Sequence, residues 1–139
     1  MTTTPEKQNL QGGCHCGAVR YSAQVDLGGA FRCNCSICSK TAATVAPCEP
    51  SAFELRSGHA ELLEYRFGQG VLTRFFCSRC GIHCFARGRD PSGAEFVGIN
   101  VNTLEGIELS GLPVVYFDGR HDDFAPRSKA APILPERRP

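Results

Sequence analysis

Seven of the nine cysteines in this 139-residue chain crowd into three short runs, and no other feature limits its fold as tightly. GGCHCG (12–17) carries Cys14 and Cys16 as C-x-C, and CNCSIC (33–38) carries Cys33, Cys35 and Cys38 as C-x-C-x-x-C. FFCSRCG (75–81) carries Cys77 and Cys80 as C-x-x-C followed by Gly81, while Cys48 and Cys84 stand apart. The N-terminal MTTTPEKQNL has no hydrophobic stretch of the kind a secretory signal needs, so the expected compartment is the reducing cytoplasm. Clustered thiols in that compartment usually hold metal, and disulfides there are rare. A disulfide scaffold is the alternative for an exported chain, but an odd number of cysteines precludes complete pairing.

Each run has its own ligand geometry. In C-x-x-C-G, a tight turn brings both thiolates to within about 4 Å, which matches Zn–S bonds of about 2.3 Å. Gly81 after the second thiol allows the left-handed backbone such a turn tends to need. A thioredoxin-like redox pair is the rival, but it expects a βαβ context that the sequence lacks. C-x-C works differently, because residues two apart in an extended chain point to the same side, and Gly13 and Gly17 let the chain bend around the pair. A closed tetrahedral site needs four ligands, which Cys14, Cys16, Cys77 and Cys80 together supply. Cys33, Cys35 and Cys38 offer three, the pattern of a catalytic zinc that keeps one exchangeable position. The bland alternative is a second structural site completed by Cys48, Cys84 or a histidine.

The stretches between the clusters read as short strands. Alternation places Val19, Tyr21, Ala23 and Val25 on one face of 17–25. Residues 53–58, 63–67, 71–76, 95–101 and 113–119 are further strand candidates, and 36–43 could form one or two helical turns. Fifteen glycines and nine prolines fit many tight turns, so the expected class is mainly β, a small zinc-binding fold of short antiparallel sheets. Residues 1–10 read as a disordered polar tail, 11–125 as one zinc-binding domain, and 126–139 as a Pro-rich basic tail. A formal charge of +1 argues against nucleic-acid partners, and no apolar run is long enough to span a bilayer. Arg32, Lys40, Arg74 and Arg79 are placed to offset thiolate charge. Cys48 and Cys84 read as small buried apolar groups, His15 and His83 as surface or core residues with a supporting role as the alternative, and Asp118 as a turn residue.

GGCHCGAVRY, the C-x-C-x-x-C run and FFCSRCG, taken together over about residues 10–122, resemble the glutathione-dependent formaldehyde-activating family of the centromere protein V superfamily. The resemblance implies a tent-like, mostly β fold with two zinc ions. It assigns Cys14, Cys16, Cys77 and Cys80 to a structural zinc, and Cys33, Cys35 and Cys38 to a catalytic one. It further implies a carbon–sulfur lyase type of reaction, forming or cleaving an adduct between a small thiol such as glutathione and a small aldehyde such as formaldehyde. Lys40, Arg120 and His121 are candidates to hold the thiol substrate by charge alone. A non-catalytic two-zinc module that binds a protein partner is the competing reading.

Overall fold

Alternation in RYSAQVD drives the first sheet: Tyr21, Ala23 and Val25 turn inward and are buried, while Gln24 faces solvent. This strand, β2 (Arg20–Asp26), is flanked by β1 (Lys7–Gly13) and β5 (Phe53–Ser57), both antiparallel to it. The computed structural model describes residues 7–66, 72–90 and 92–121, together with the backbone of 123–127. Its larger sheet has eight strands: β3 (Phe31–Cys33), β4 (Val45–Cys48), β6 (Leu62–Tyr65), β7 (Leu72–Cys77), β8 (His83–Arg89), β9 (Glu95–Asn100), β10 (Val115–Asp118) and β11 (Asp123–Arg127). They run in the order β11-β10-β3-β4-β9-β8-β7-β6. One helix longer than a single turn, α1 (Ser36–Thr41), occurs among the described residues. The fold is therefore mainly β with short antiparallel sheets, as the patterning predicts, although β10 and β3 pair in parallel.

The two sheets pack face to face. Tyr21 and Phe53 from the small sheet meet Phe85 from the large one at ring distances of 6.4 and 4.6 Å, and Phe75 stacks on Phe85 at 4.8 Å. Val97, Ile99 and Cys84 complete this layer, each fully buried. The Tyr21 hydroxyl donates to Thr103 Oγ1 (2.6 Å), which passes its own proton to the Asn100 carbonyl (2.7 Å), so the buried phenol is satisfied. Gly12 sits opposite Tyr21, where a Cβ would strike the Thr103 carbonyl oxygen and the Tyr21 hydroxyl. Only glycine lets β1 approach this closely, and β1 then delivers Cys14 at its end.

Several elements depart from the sequence expectation. β1 starts at Lys7, within the stretch expected to be tail, because its backbone completes a seven-residue ladder with β2 that its polar side chains do not announce. β11 extends into the expected C-terminal tail as far as Arg127, and the rest of that tail lies outside the described residues. β4 contains Pro47, which argues against a strand, but beyond Val45 this strand has a single paired neighbour and tolerates it. In β6 the alternation predicted for 63–67 buries nothing. Leu63 and Tyr65 are about half exposed on this edge strand, and Phe67 lies outside the described residues. No described helix is long and apolar enough to cross a membrane.

Candidate metal centres

Two cysteine clusters emerge, each with its thiol sulfurs within 4.8 Å of one another: Cys14, Cys16, Cys77 and Cys80, and separately Cys33, Cys35 and Cys38. All nine thiols are free. Either cluster has the donors and spacing to hold a metal ion.

The four-cysteine cluster joins two distant parts of the chain. After β1, the segment 14–19 folds back so that Cys14 N–H donates to Val19 O (3.0 Å) and Val19 N–H donates to Cys14 Sγ (3.2 Å). β7 ends at Cys77, and the following turn closes with Gly81 N–H on the Cys77 carbonyl (2.8 Å) at φ +79°, the left-handed geometry expected of that glycine. Arg79 N–H also points at Cys77 Sγ (3.3 Å). Cys14–Cys16 and Cys16–Cys77 sulfur separations are 3.6 and 3.7 Å. A tetrahedron with Zn–S bonds of about 2.3 Å has edges of about 3.8 Å, so the thiols already stand at the spacing such an ion requires. Burial pulls the Cys14 thiol up, yet the Val19 amide and the neighbouring thiols outweigh it and hold it below its ordinary range. Desolvation is likewise overcome at Cys80, where the Cys16 and Ile82 amides bring the thiol down to about 6.

The three-cysteine cluster is local. Cys33 ends β3, Cys35 caps the N-terminus of α1, and Cys38 follows one helical turn later. All three are partly exposed. Hydrogen bonds from the Cys33 and Cys38 thiols hold Cys35 far below the usual thiol range, and the same contacts push Cys38 well above it. Three thiols this close are a donor set that gains from a cation.

Asn34, between two of these thiols, is 4% exposed and ties the loop to the sheet. Its N–H donates to Phe117 O (3.3 Å) and its Nδ2 to Asp118 Oδ1 (2.9 Å). Its Oδ1 accepts from Arg120 N–H (3.0 Å), and its carbonyl accepts from Arg120 Nε (3.2 Å). Asp118 also bonds His121 Nδ1 (2.9 Å). Asp118 ends β10 and leads into the turn 119–121, as expected of a turn residue, and it also bridges Asn34 to His121; sequence reasoning passed over Asn34 altogether. The one available signal was an amide side chain between two thiols, where a partner must be found for every polar atom. Arg120 and His121, expected to hold substrate by charge, are engaged in this network, whereas Lys40 is exposed on α1.

A shallow cleft beside Cys33 and Cys38 is lined by Arg32, Asn34, Ser39, Tyr116 and Phe117. A larger cavity of about 320 Å³, lined by Lys7, Asp26, Cys48, Glu49 and Glu95 among others, includes none of the clustered thiols. Cys48 and Cys84 lie outside both clusters and donate to the carbonyls of Glu49 (3.3 Å) and Ile82 (3.6 Å). Burial raises both thiols, Cys84 to about 12. His15 and His59 are exposed, whereas both ring nitrogens of His83 are buried without a hydrogen-bond partner, and burial, with the Arg74 charge, pulls the ring below the usual histidine range.

A sequence model described as glutathione-dependent formaldehyde-activating enzyme matches residues 9–115, a span that contains all seven clustered cysteines. Among solved structures, a crystal structure of a Rhodobacter sphaeroides protein from a structural-genomics programme superposes with a TM-score of 0.69. The two share 33% identity over 77% of this chain and 98% of that one.

Proposed function

Because this chain belongs to the glutathione-dependent formaldehyde-activating enzyme family, we propose that it makes and breaks adducts between a small thiol and a small aldehyde, with glutathione and formaldehyde the first pair to test. In the forward direction the thiol S–H breaks, sulfur bonds to the carbonyl carbon, and the proton ends on the former carbonyl oxygen as a hydroxyl. The reverse direction is a carbon–sulfur lyase reaction. Zinc is the ion proposed for both clusters, since it favours thiolate sets and tetrahedral geometry.

The observation that carries this reading is the contrast in donor number, four thiols in one cluster and three partly exposed ones in the other. Four protein donors saturate a tetrahedral ion, whereas three leave a position for an outside ligand. When bound at the second cluster, zinc supplies a positive charge that ionises a thiol near neutral pH. The protein's own part is positioning. Asn34 fixes Cys33 and Cys35 against β10, and α1 presents Cys38 one turn from Cys35. Arg32 and Tyr116 line the adjoining cleft, where they offer a cation and a phenol to the polar parts of a thiol substrate.

The uncatalysed condensation is fast and reversible, so the test is the exchange rate at equilibrium, read by two-dimensional exchange NMR of glutathione and formaldehyde. Acceleration by the metal-loaded protein, lost in Cys35→Ser with the first metal retained, supports the enzyme. No acceleration over a panel of thiols and aldehydes would leave a non-catalytic zinc module instead.

A further inference from the structure

Arg74 lies in the middle of β7 and is 9% exposed, the one buried charged side chain among the described residues. Its Nη2 donates to Cys38 Sγ at 3.9 Å, across 36 residues of sequence, so the sheet lends a cation to the three-cysteine cluster. A guanidinium keeps its charge at every relevant pH, and burying it is costly unless anionic partners face it. Cys38 Sγ, when it carries negative charge, is one such partner.

The four-cysteine cluster has no buried guanidinium bonded to a sulfur among the described residues, and Arg20, close enough to feel Cys14, is clamped on Glu105 at 2.6 and 2.7 Å. Arg79 points only its backbone N–H at Cys77, while its side chain is 69% exposed and reaches Glu61 at 3.9 Å. The buried guanidinium belongs to one centre alone, the one whose charge depends on its fourth ligand. Zinc with four thiolates carries −2, and with three it carries −1. A neutral fourth ligand leaves the second centre at −1, whereas a thiolate takes it to −2 in a partly buried setting where repulsion is weakly screened. A fixed positive charge on Cys38 offsets that added charge.

We propose that Arg74 is a positioning residue for charge: it biases the three-cysteine centre toward an anionic thiolate as fourth ligand over a neutral one. The proposal rests on the reading that this centre holds zinc, and the two can fail separately.

The test uses the full chain loaded with Co²⁺, whose sulfur charge-transfer and ligand-field bands report each thiolate. Metal content is measured first, and a wild-type protein that holds only one ion removes the zinc reading and the proposal with it. With two ions bound, 2-mercaptoethanol and imidazole are titrated as an anionic and a neutral fourth ligand. Arg74→Met should weaken thiol binding at least about tenfold, the size of one partly buried charge interaction, and leave imidazole affinity unchanged. Equal thiol affinity in wild type and Arg74→Met overturns the proposal, and so does an equal loss for both ligands. If Arg74→Met drops its second ion or fails to fold, Arg74→Lys decides, because it keeps the charge without the planar fork. Retention of the second ion and of thiol affinity within about threefold supports the assignment. Loss of either in the lysine variant overturns it.

Discussion

The two cysteine clusters use the same donor atom for different physical ends. In the first, Cys16 and Cys77 are 61 residues apart and their sulfurs 3.7 Å apart, so an ion there closes a long loop and pins the start of the domain to its middle. In the second, three thiols come from six consecutive residues, and an ion there constrains little more than its own turn. Free energy of binding at the first cluster is therefore folding free energy, whereas at the second it is available for ligand exchange. The price of locality is that the short loop cannot hold itself. Its geometry is borrowed from β10 through Asn34 and its charge balance from β7 through Arg74.

The harshest way to break this contrast is to remove one thiol from each cluster. Apparent binding energies of structural zinc centres, about 10–16 kcal/mol, rival the whole stability of a domain, about 5–15 kcal/mol. Cys77→Ser should abolish the cooperative thermal transition and lower the metal content by at least one ion per chain. Cys35→Ser should lose one ion and keep a cooperative melt. Equal collapse of both variants would mean that the second centre is structural too.

Chelation sharpens the same difference without mutation. A graded challenge with a chromophoric chelator should remove the ion of the partly exposed three-cysteine cluster first, with far-UV circular dichroism unchanged. The second ion should leave only as the fold does. A single release phase, or loss of secondary structure with the first ion, would erase the distinction between the centres.

The supporting network offers a milder perturbation. Asn34 is buried, and its side chain both donates to Asp118 and accepts from Arg120. Asn34→Ala removes both of those hydrogen bonds while sparing every ligand. Groups that orient metal ligands typically change affinity about 10- to 100-fold, so second-centre affinity should fall by that order. The first centre should bind as before. Unchanged affinity at the second centre would show that the three thiols hold their own geometry.

How much of this was legible in the sequence follows from what each feature depends on. Both clusters could be read because ligand spacing is local chemistry and the cysteines carry it in the open. Strands with a buried face, such as β2 with Tyr21, Ala23 and Val25, declare themselves by period two. β1 does not, because its place is set by backbone pairing and by the close approach at Gly12. β4 hides behind Pro47, which only its neighbours make tolerable. Asn34 is ordinary in sequence, Asp118 shows there only as a turn residue, and Arg74 stands near Cys77 in sequence although its side chain reaches Cys38. Their roles come from contacts across 84 and 36 positions, which no local pattern encodes.

The smallest expected effect concerns the two thiols that stand outside the clusters, and it bears on the contrast most directly. Cys84 is fully buried in the aromatic core beside Phe85, and burial pushes its thiol up to about 12, which opposes the ionisation a metal ligand requires. Cys48 is nearly as buried, with its thiol raised by the same desolvation and its proton on the Glu49 carbonyl. Replacing both with alanine removes two small apolar groups and costs about 1–2 kcal/mol through packing alone. Metal content should stay at the wild-type value, with a melting temperature only a few degrees lower. Loss of one ion from this double variant would mean that one of these cysteines reaches the second cluster as a fourth donor. Both centres would then be closed, the exchangeable position would vanish, and with it the chemical difference between the two clusters.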